Sequence, residues 1–165
     1  MIRRSVEILR APDEEKALSA LTVLQPFATA IVSTELTAKR VENRSWPRTY
    51  PKAGQWVAIH AGRSWYPGNA DTILSEIETY TGWGTRRDPT GAVRVYPLGA
   101  LLGIARFVGC VQPGEVPIPQ RGWAVGPWCH VIDDVRPLPS PIPCRGALGF
   151  WRVPDEHVPA LRALL

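Results

Sequence analysis

Between Leu36 and Tyr66 the chain carries six basic residues, Lys39, Arg40, Arg44, Arg48, Lys52 and Arg63, against a single acid, Glu42. Trp46, Tyr50, Trp56, Trp65 and Tyr66 are interleaved with these charges. Cations that neutralise phosphates, set beside flat rings on which a base can stack, are the ingredients of a nucleic-acid-binding surface. On the two-residue period of a strand, Glu42, Arg44 and Trp46 share one face, and Lys39 sits at the turn just before. Two flanking cations favour the ionised form of Glu42. It is then an acceptor only, able to receive hydrogen bonds from the exocyclic amine of cytosine or from guanine edges. Arg44 can hold a phosphate or a base carbonyl with its planar fork. The same three side chains would equally make a buried ion network that fixes the strand to the preceding helix.

A catalytic version uses Glu42 as general base on a water, with Lys39 stabilising the oxyanion of a tetrahedral intermediate. A carboxylate held by two cations is a weak base, and Ser45 lies on the opposite strand face, poorly placed as a nucleophile. Gln25, Phe27, Trp46 and His60 are expected to shape the pocket, His60 alternatively being a satisfied structural histidine. Arg48, Lys52 and Arg63 are candidate phosphate ligands. Arg86 and Arg87, beside the tight turn Asp88-Pro89-Thr90-Gly91, form either a solvated loop tip or a mobile phosphate clamp. No metal site is expected, because His60, Cys110, Cys129, His130 and Cys144 show no ligand-like spacing. No cofactor is expected either. Trp56, Trp128 and Trp151 lie in apolar stretches and read as core.

These residues sit in a chain of 165, a length suited to one domain with a real core. No window approaches the roughly 18 apolar residues of a membrane span, so no membrane partner is expected. Three widely spaced cysteines and an N-terminus without an apolar signal core suit a reducing cytoplasm. The formal charge of +4 favours anionic partners without identifying them.

Residues 1–17 read as a loosely held arm, and 18–165 as the single domain. Leu18–Leu24 suits a buried strand, and Pro26 opens a short helix running to Thr34. Val41–Trp46 and Gln55–Ala61 read as strands. Asn69 caps a helix to about Tyr80, which Gly82 stops. Gly82–Gly99 reads as a long exposed loop or hairpin. Ala100–Val111 is expected to be a central strand, followed by strands at Trp128–Val135 and Leu148–Val153. Pro137–Pro143, with four prolines, is expected to be extended and irregular. Asp155 is the expected cap of a C-terminal helix. The sum is an α+β fold, a small closed or partly closed β-barrel with two or three short flanking helices.

Several strings in this order resemble the ASCH family: Leu21-Thr22-Val23-Leu24-Gln25-Pro26-Phe27-Ala28, then Lys39-Arg40-Val41-Glu42-Asn43-Arg44-Ser45-Trp46, then Ile59-His60-Ala61. Gly103-Ile104-Ala105, Trp123, Trp128 and Gly146-x-x-Gly149-Phe150-Trp151 fit the later part of the pattern. The resemblance spans about residues 18–153. It implies a PUA-like barrel with a cleft between barrel and helix, lined by the Gln-Pro and Lys-x-x-Glu-x-Arg segments, and it implies RNA binding. Some small bacterial relatives hydrolyse acetylcytidine through a Lys-x-x-Thr motif whose lysine and threonine are catalytic, assisted by a distant glutamate. Here Glu42 replaces that threonine, so their mechanism does not carry over intact. Phe27 replaces the commoner tryptophan and keeps an aromatic wall.

The expectation is therefore a nucleic-acid-binding domain that reads a base or nucleotide in a cleft. RNA is the favoured partner, with single-stranded DNA or a free nucleoside as alternatives. Its rivals are an amidohydrolase acting on a modified nucleoside such as 4-acetylcytidine, and a protein-partner-binding domain. The sequence leaves oligomeric state open.

Overall fold

The computed structural model describes residues 17–47 and 51–165. The expected N-terminal arm lies outside this range save for Ala17, as do Arg48 and Tyr50. Six strands form one mixed sheet: β1 (Ser19–Gln25), β2 (Val41–Arg44), β3 (Gln55–Trp65), β4 (Ala100–Val111), β5 (Trp128–Pro143) and β6 (Phe150–Arg152). Their order is β2-β5-β4-β3-β1-β6. Only the β1–β3 pairing is parallel. Among the described residues three α-helices accompany the sheet: α1 (Phe27–Val32), α2 (Ala70–Thr81) and α3 (Val158–Arg162). Short 3-10 turns occupy Pro113–Glu115 and Ile118–Trp123. The fold class is α+β. None of its helices is long and apolar enough to cross a membrane, among the described residues.

The expected barrel is corrected in one respect. The sheet is not closed by hydrogen bonds, and β2 and β6 remain its two edges. Side chains span the gap instead. Arg44 Nη2 donates to the Thr22 carbonyl at 3.2 Å, tying β2 to β1. Trp46, just past β2, meets Phe150 of β6 edge-on, with ring centroids 6.2 Å apart. The edges therefore face each other with rings and a guanidinium between them.

Each element forms for a local reason. Residues 101–105 of β4 are all buried, so this central strand is a continuous apolar run without alternation. In α2 the Asn69 side chain accepts from the Thr72 N–H at 3.0 Å, satisfying an orphan donor of the first turn. Gly82 ends the helix at φ 73°, a left-handed conformation that a Cβ would strain. Ile73, Leu74 and Ile77 place the apolar stripe of α2 against the rest of the molecule. Phe107 and Trp83 are almost wholly buried, and each such ring contributes roughly 1.5–3 kcal/mol of burial free energy.

Pro137–Pro143 belongs to β5, not to a separate irregular segment. Its irregularity lies in the pairing: Leu101 faces Ile142 and Gly103 faces Pro137, so residues 138–141 bulge opposite Leu102. Near the C-terminus His157, not Asp155, stands at the start of α3. Asp155 instead pairs with Arg152 at 2.9 Å.

Candidate functional site

A cleft of about 590 Å³ opens between β1, β2, α2 and the segment Gly122–Gly126. Lys39, Glu42 and Arg44 line it, as does Phe27. The turn after α1 delivers Lys39, whose N–H donates to the Ala30 carbonyl at 3.1 Å. Its ammonium lies 2.7 Å from Glu42 Oε2, donates to the Val41 carbonyl, and stands 5.7 Å from the centroid of the Phe27 ring. Glu42 Oε1 is ion-paired with Arg44 Nη2 at 3.1 Å. Both carboxylate oxygens therefore have a cation. Arg44 Nε is buried and finds no acceptor among the described residues. An unmet donor of this kind is costly to bury.

The aromatic wall comes from Phe27 and Tyr66, whose rings meet edge-on at 5.3 Å and 87°. Tyr80 on α2 and Trp123 also line the cleft, the Trp123 indole N–H donating to the Thr37 carbonyl at 3.0 Å. The neighbouring loop is pinned by Asn43. Its amide donates to the Trp123 carbonyl at 2.8 Å and its oxygen accepts from the N–H groups of Val125 and Gly126. Tyr80, Glu76, Trp123 and Asn43 are not among the site residues expected from the sequence. The first three reach the cleft through α2 and a 3-10 turn, and only the tertiary fold brings those elements beside β2, which itself carries Asn43.

Other expected site residues stand elsewhere. Gln25 is fully buried; its amide donates to Thr29 Oγ1 at 2.8 Å and the Pro97 carbonyl at 2.7 Å, and its oxygen accepts from the Thr29 N–H. It anchors the start of α1 and does not line the cleft. His60 is 2% exposed and is held by Thr22 Oγ1 at 3.2 Å and the Cys144 carbonyl at 2.8 Å, beneath Trp151. Burial pushes its pKa below the ordinary value, against the bond to Cys144. That is a satisfied interior imidazole. Trp46 packs on His130, with ring centroids 5.1 Å apart, and on Phe150.

Lys52, Arg63, Arg86 and Arg87 are exposed, and none lines the cleft. Arg86 is paired with Asp71 at 2.8 Å, and Arg87 donates to the Gly91 carbonyl at 2.7 Å. The 82–99 segment that carries them is stapled down. Arg94 donates to the Gly84 carbonyl at 2.7 Å, pairs with Glu35 at 2.8 Å, and lies 4.2 Å from the Trp83 ring centroid. Arg40, from the basic cluster, caps the end of α1 through the carbonyls of Ile31 at 2.9 Å and Ser33 at 2.6 Å.

Behind the trio, Glu42 of β2 faces His130 of β5, which faces Cys110 of β4. Cys110 Sγ lies 3.8 Å from His130 Nε2. Burial lowers the His130 pKa, while Glu42 and a bond to the Trp46 carbonyl raise it. Among the described residues no group of histidine, cysteine or acidic side chains is arranged to hold a metal ion.

Chemically, the cleft offers one carboxylate acceptor flanked by nitrogen donors, between aromatic walls. That set matches the mixed donor and acceptor edge of a heterocyclic base. No protein-family model matches the chain, and no curated protein does so either.

Proposed function

We propose that this chain binds a nucleobase or nucleotide in the cleft, with Glu42 accepting from the base edge and Lys39 and Arg44 donating to it. The observation that carries the reading is the trio itself. A carboxylate paired with two cations, though largely covered, forms part of the lining of the cleft. Phe27, Tyr66, Tyr80 and Trp123 supply faces on which a planar ligand stacks. The resemblance to the ASCH family, the open α+β sheet with facing edges and the position of the Lys-x-x-Glu-x-Arg segment all fit a PUA-like domain. The same resemblance favours RNA as the source of the base.

Titration with short RNA and DNA oligomers and with nucleosides, modified and unmodified, at two salt concentrations tests the proposal. Saturable binding that Glu42→Gln weakens supports it. Binding left unchanged by Glu42→Gln in a folded protein removes the recognition role.

Hydrolysis of a modified nucleoside such as 4-acetylcytidine is the second reading, favoured by the ammonium and carboxylate meeting at 2.7 Å in the cleft wall. Cations on both Glu42 oxygens oppose it, since they occupy the positions from which the carboxylate would take a proton from water. Incubation with acetylcytidine decides the matter, and absence of cytidine eliminates it.

A further inference from the structure

The cleft lining contains four charged side chains, the cations Lys39 and Arg44 and the acids Glu42 and Glu76. The trio alone leaves one excess positive charge, and Glu76 cancels it. Glu76 belongs to α2, which carries Asp71, Glu76 and Glu78 and no lysine or arginine. Asp71 is paired with Arg86 at 2.8 Å, and Glu78 accepts from the Thr85 N–H at 3.3 Å. Glu76 is exposed, and among the described residues no hydrogen bond or ion pair engages it. Its carboxylate therefore stands on the cleft wall with its charge uncompensated by a direct partner.

A phosphate brought into this cleft meets a like charge on the α2 wall. The two lining cations are paired with Glu42, which balances one of their charges as Glu76 balances the other, and Lys39 has only 3% of its side chain exposed. Of the cations expected to hold phosphates, Lys52, Arg63, Arg86 and Arg87 do not line the cleft, nor does any other exposed arginine among the described residues. A neutral ligand suffers no such repulsion and loses nothing by the charge balance.

We infer that Glu76 is a specificity-determining residue that makes the cleft favour an uncharged nucleoside over the same nucleoside carrying a phosphate. The inference rests on the base-recognition reading and narrows it. Glu76 acts through space on the ligand's charge, and the hydrogen-bonding trio reads the base.

Calorimetric titration of the full chain with the common nucleosides and their 5′-monophosphates, at low and at high salt, tests this. The nucleoside is expected to bind roughly 3- to 10-fold more tightly than its monophosphate at low salt, the size expected of one like charge across a wet cleft, with the gap shrinking at high salt. Glu76→Gln is expected to close the gap by tightening monophosphate binding while leaving the nucleoside within about twofold. Glu76→Lys should reverse the preference. Because Glu76 is exposed, neither variant threatens the fold. Monophosphates that bind wild type as tightly as nucleosides, or a gap that survives Glu76→Gln, would overturn the inference while leaving base recognition standing. Failure of every nucleoside and monophosphate to bind would overturn base recognition itself and this inference with it.

Discussion

Lys39 Nζ and Glu42 Oε2 stand 2.7 Å apart with only 3% and 8% of their side chains exposed. Two ions so well covered have given up most of their hydration, a cost that their attraction offsets only when the remaining donors and acceptors are also met. Here the Val41 carbonyl takes a further Lys39 proton and Arg44 takes the second Glu42 oxygen. Both ions of the pair thus have their partners, and removing one strands the other.

Replacing Glu42 with Ala is therefore expected to destabilise the protein by about 3–5 kcal/mol, because Lys39 loses its counter-ion in a covered position. Glu42→Gln keeps an acceptor and should cost less. The double variant Lys39→Met/Glu42→Leu should cost less than Glu42→Ala alone, as burying two apolar groups removes the stranded charge. Urea unfolding of the single and double variants reads the coupling directly. A double variant as unstable as the sum of the singles would show that the two groups do not act as a pair.

The 82–99 segment depends on one arginine. Arg94 joins the Gly84 carbonyl, Glu35 and the face of Trp83. Lysine at this position keeps the charge but loses the planar stacking and the Nε bond. Arg94→Lys is expected to cost about 1–2 kcal/mol, and Arg94→Ala about 2–4 kcal/mol, since Glu35 is then left without its cation. Tryptophan fluorescence during denaturation reports both, Trp83 being fully buried in the native state.

Two histidines set an acid limit. His60 and His130 both have pKa values lowered from the ordinary 6.5, chiefly by burial. Below that pH the unfolded chain binds protons that the folded chain resists binding, so stability rises with pH in this range. Stability is complete above pH 6.5 and is lost as pH falls through the interval between the unfolded and the folded values. The denaturation midpoint is expected to drop as pH falls below the ordinary histidine value of 6.5. His60→Gln, which does not titrate, should flatten the slope even though it lowers stability at neutral pH.

Much of this architecture was legible in the chain, for identifiable reasons. Asn69 and Gly82 bound α2 because capping and left-handed backbone are local demands, written into single residues. The run 100–111 became the central strand because it is apolar on both faces. The alternation of Glu42 and Arg44 placed both on the cleft side of β2. What escaped was tertiary. Gln25 and His60 are polar residues beside the motif, yet each is consumed by interior hydrogen bonds whose partners lie far along the chain, Pro97 and Cys144. The second wall of the cleft, with Glu76, Tyr80 and Trp123, has no local signature. An acidic amphipathic helix reads as an ordinary surface helix until its neighbour is known. The arginines 86 and 87 looked available, but Asp71 and a turn carbonyl hold them.

The width of the cleft rests on a close backbone approach at Gly122. A Cβ there would lie 2.2 Å from the Tyr80 carbonyl oxygen and 3.0 Å from its carbonyl carbon. Both are main-chain atoms at the end of α2, so no rotamer change relieves the clash. Either α2 or the turn Ile118–Trp123 must move, and these carry Tyr80 and Trp123 on the cleft wall. Gly122→Ala is expected to cost about 1–3 kcal/mol, the usual range for an overpacked contact. It should also weaken nucleoside binding more than Glu76→Gln does, because it displaces stacking surfaces while Glu76→Gln changes only charge. Near-ultraviolet circular dichroism should register the shifted aromatic rings, and titration the lost affinity. A Gly122→Ala protein with wild-type stability and wild-type nucleoside affinity would mean that α2 does not form a wall of the binding site.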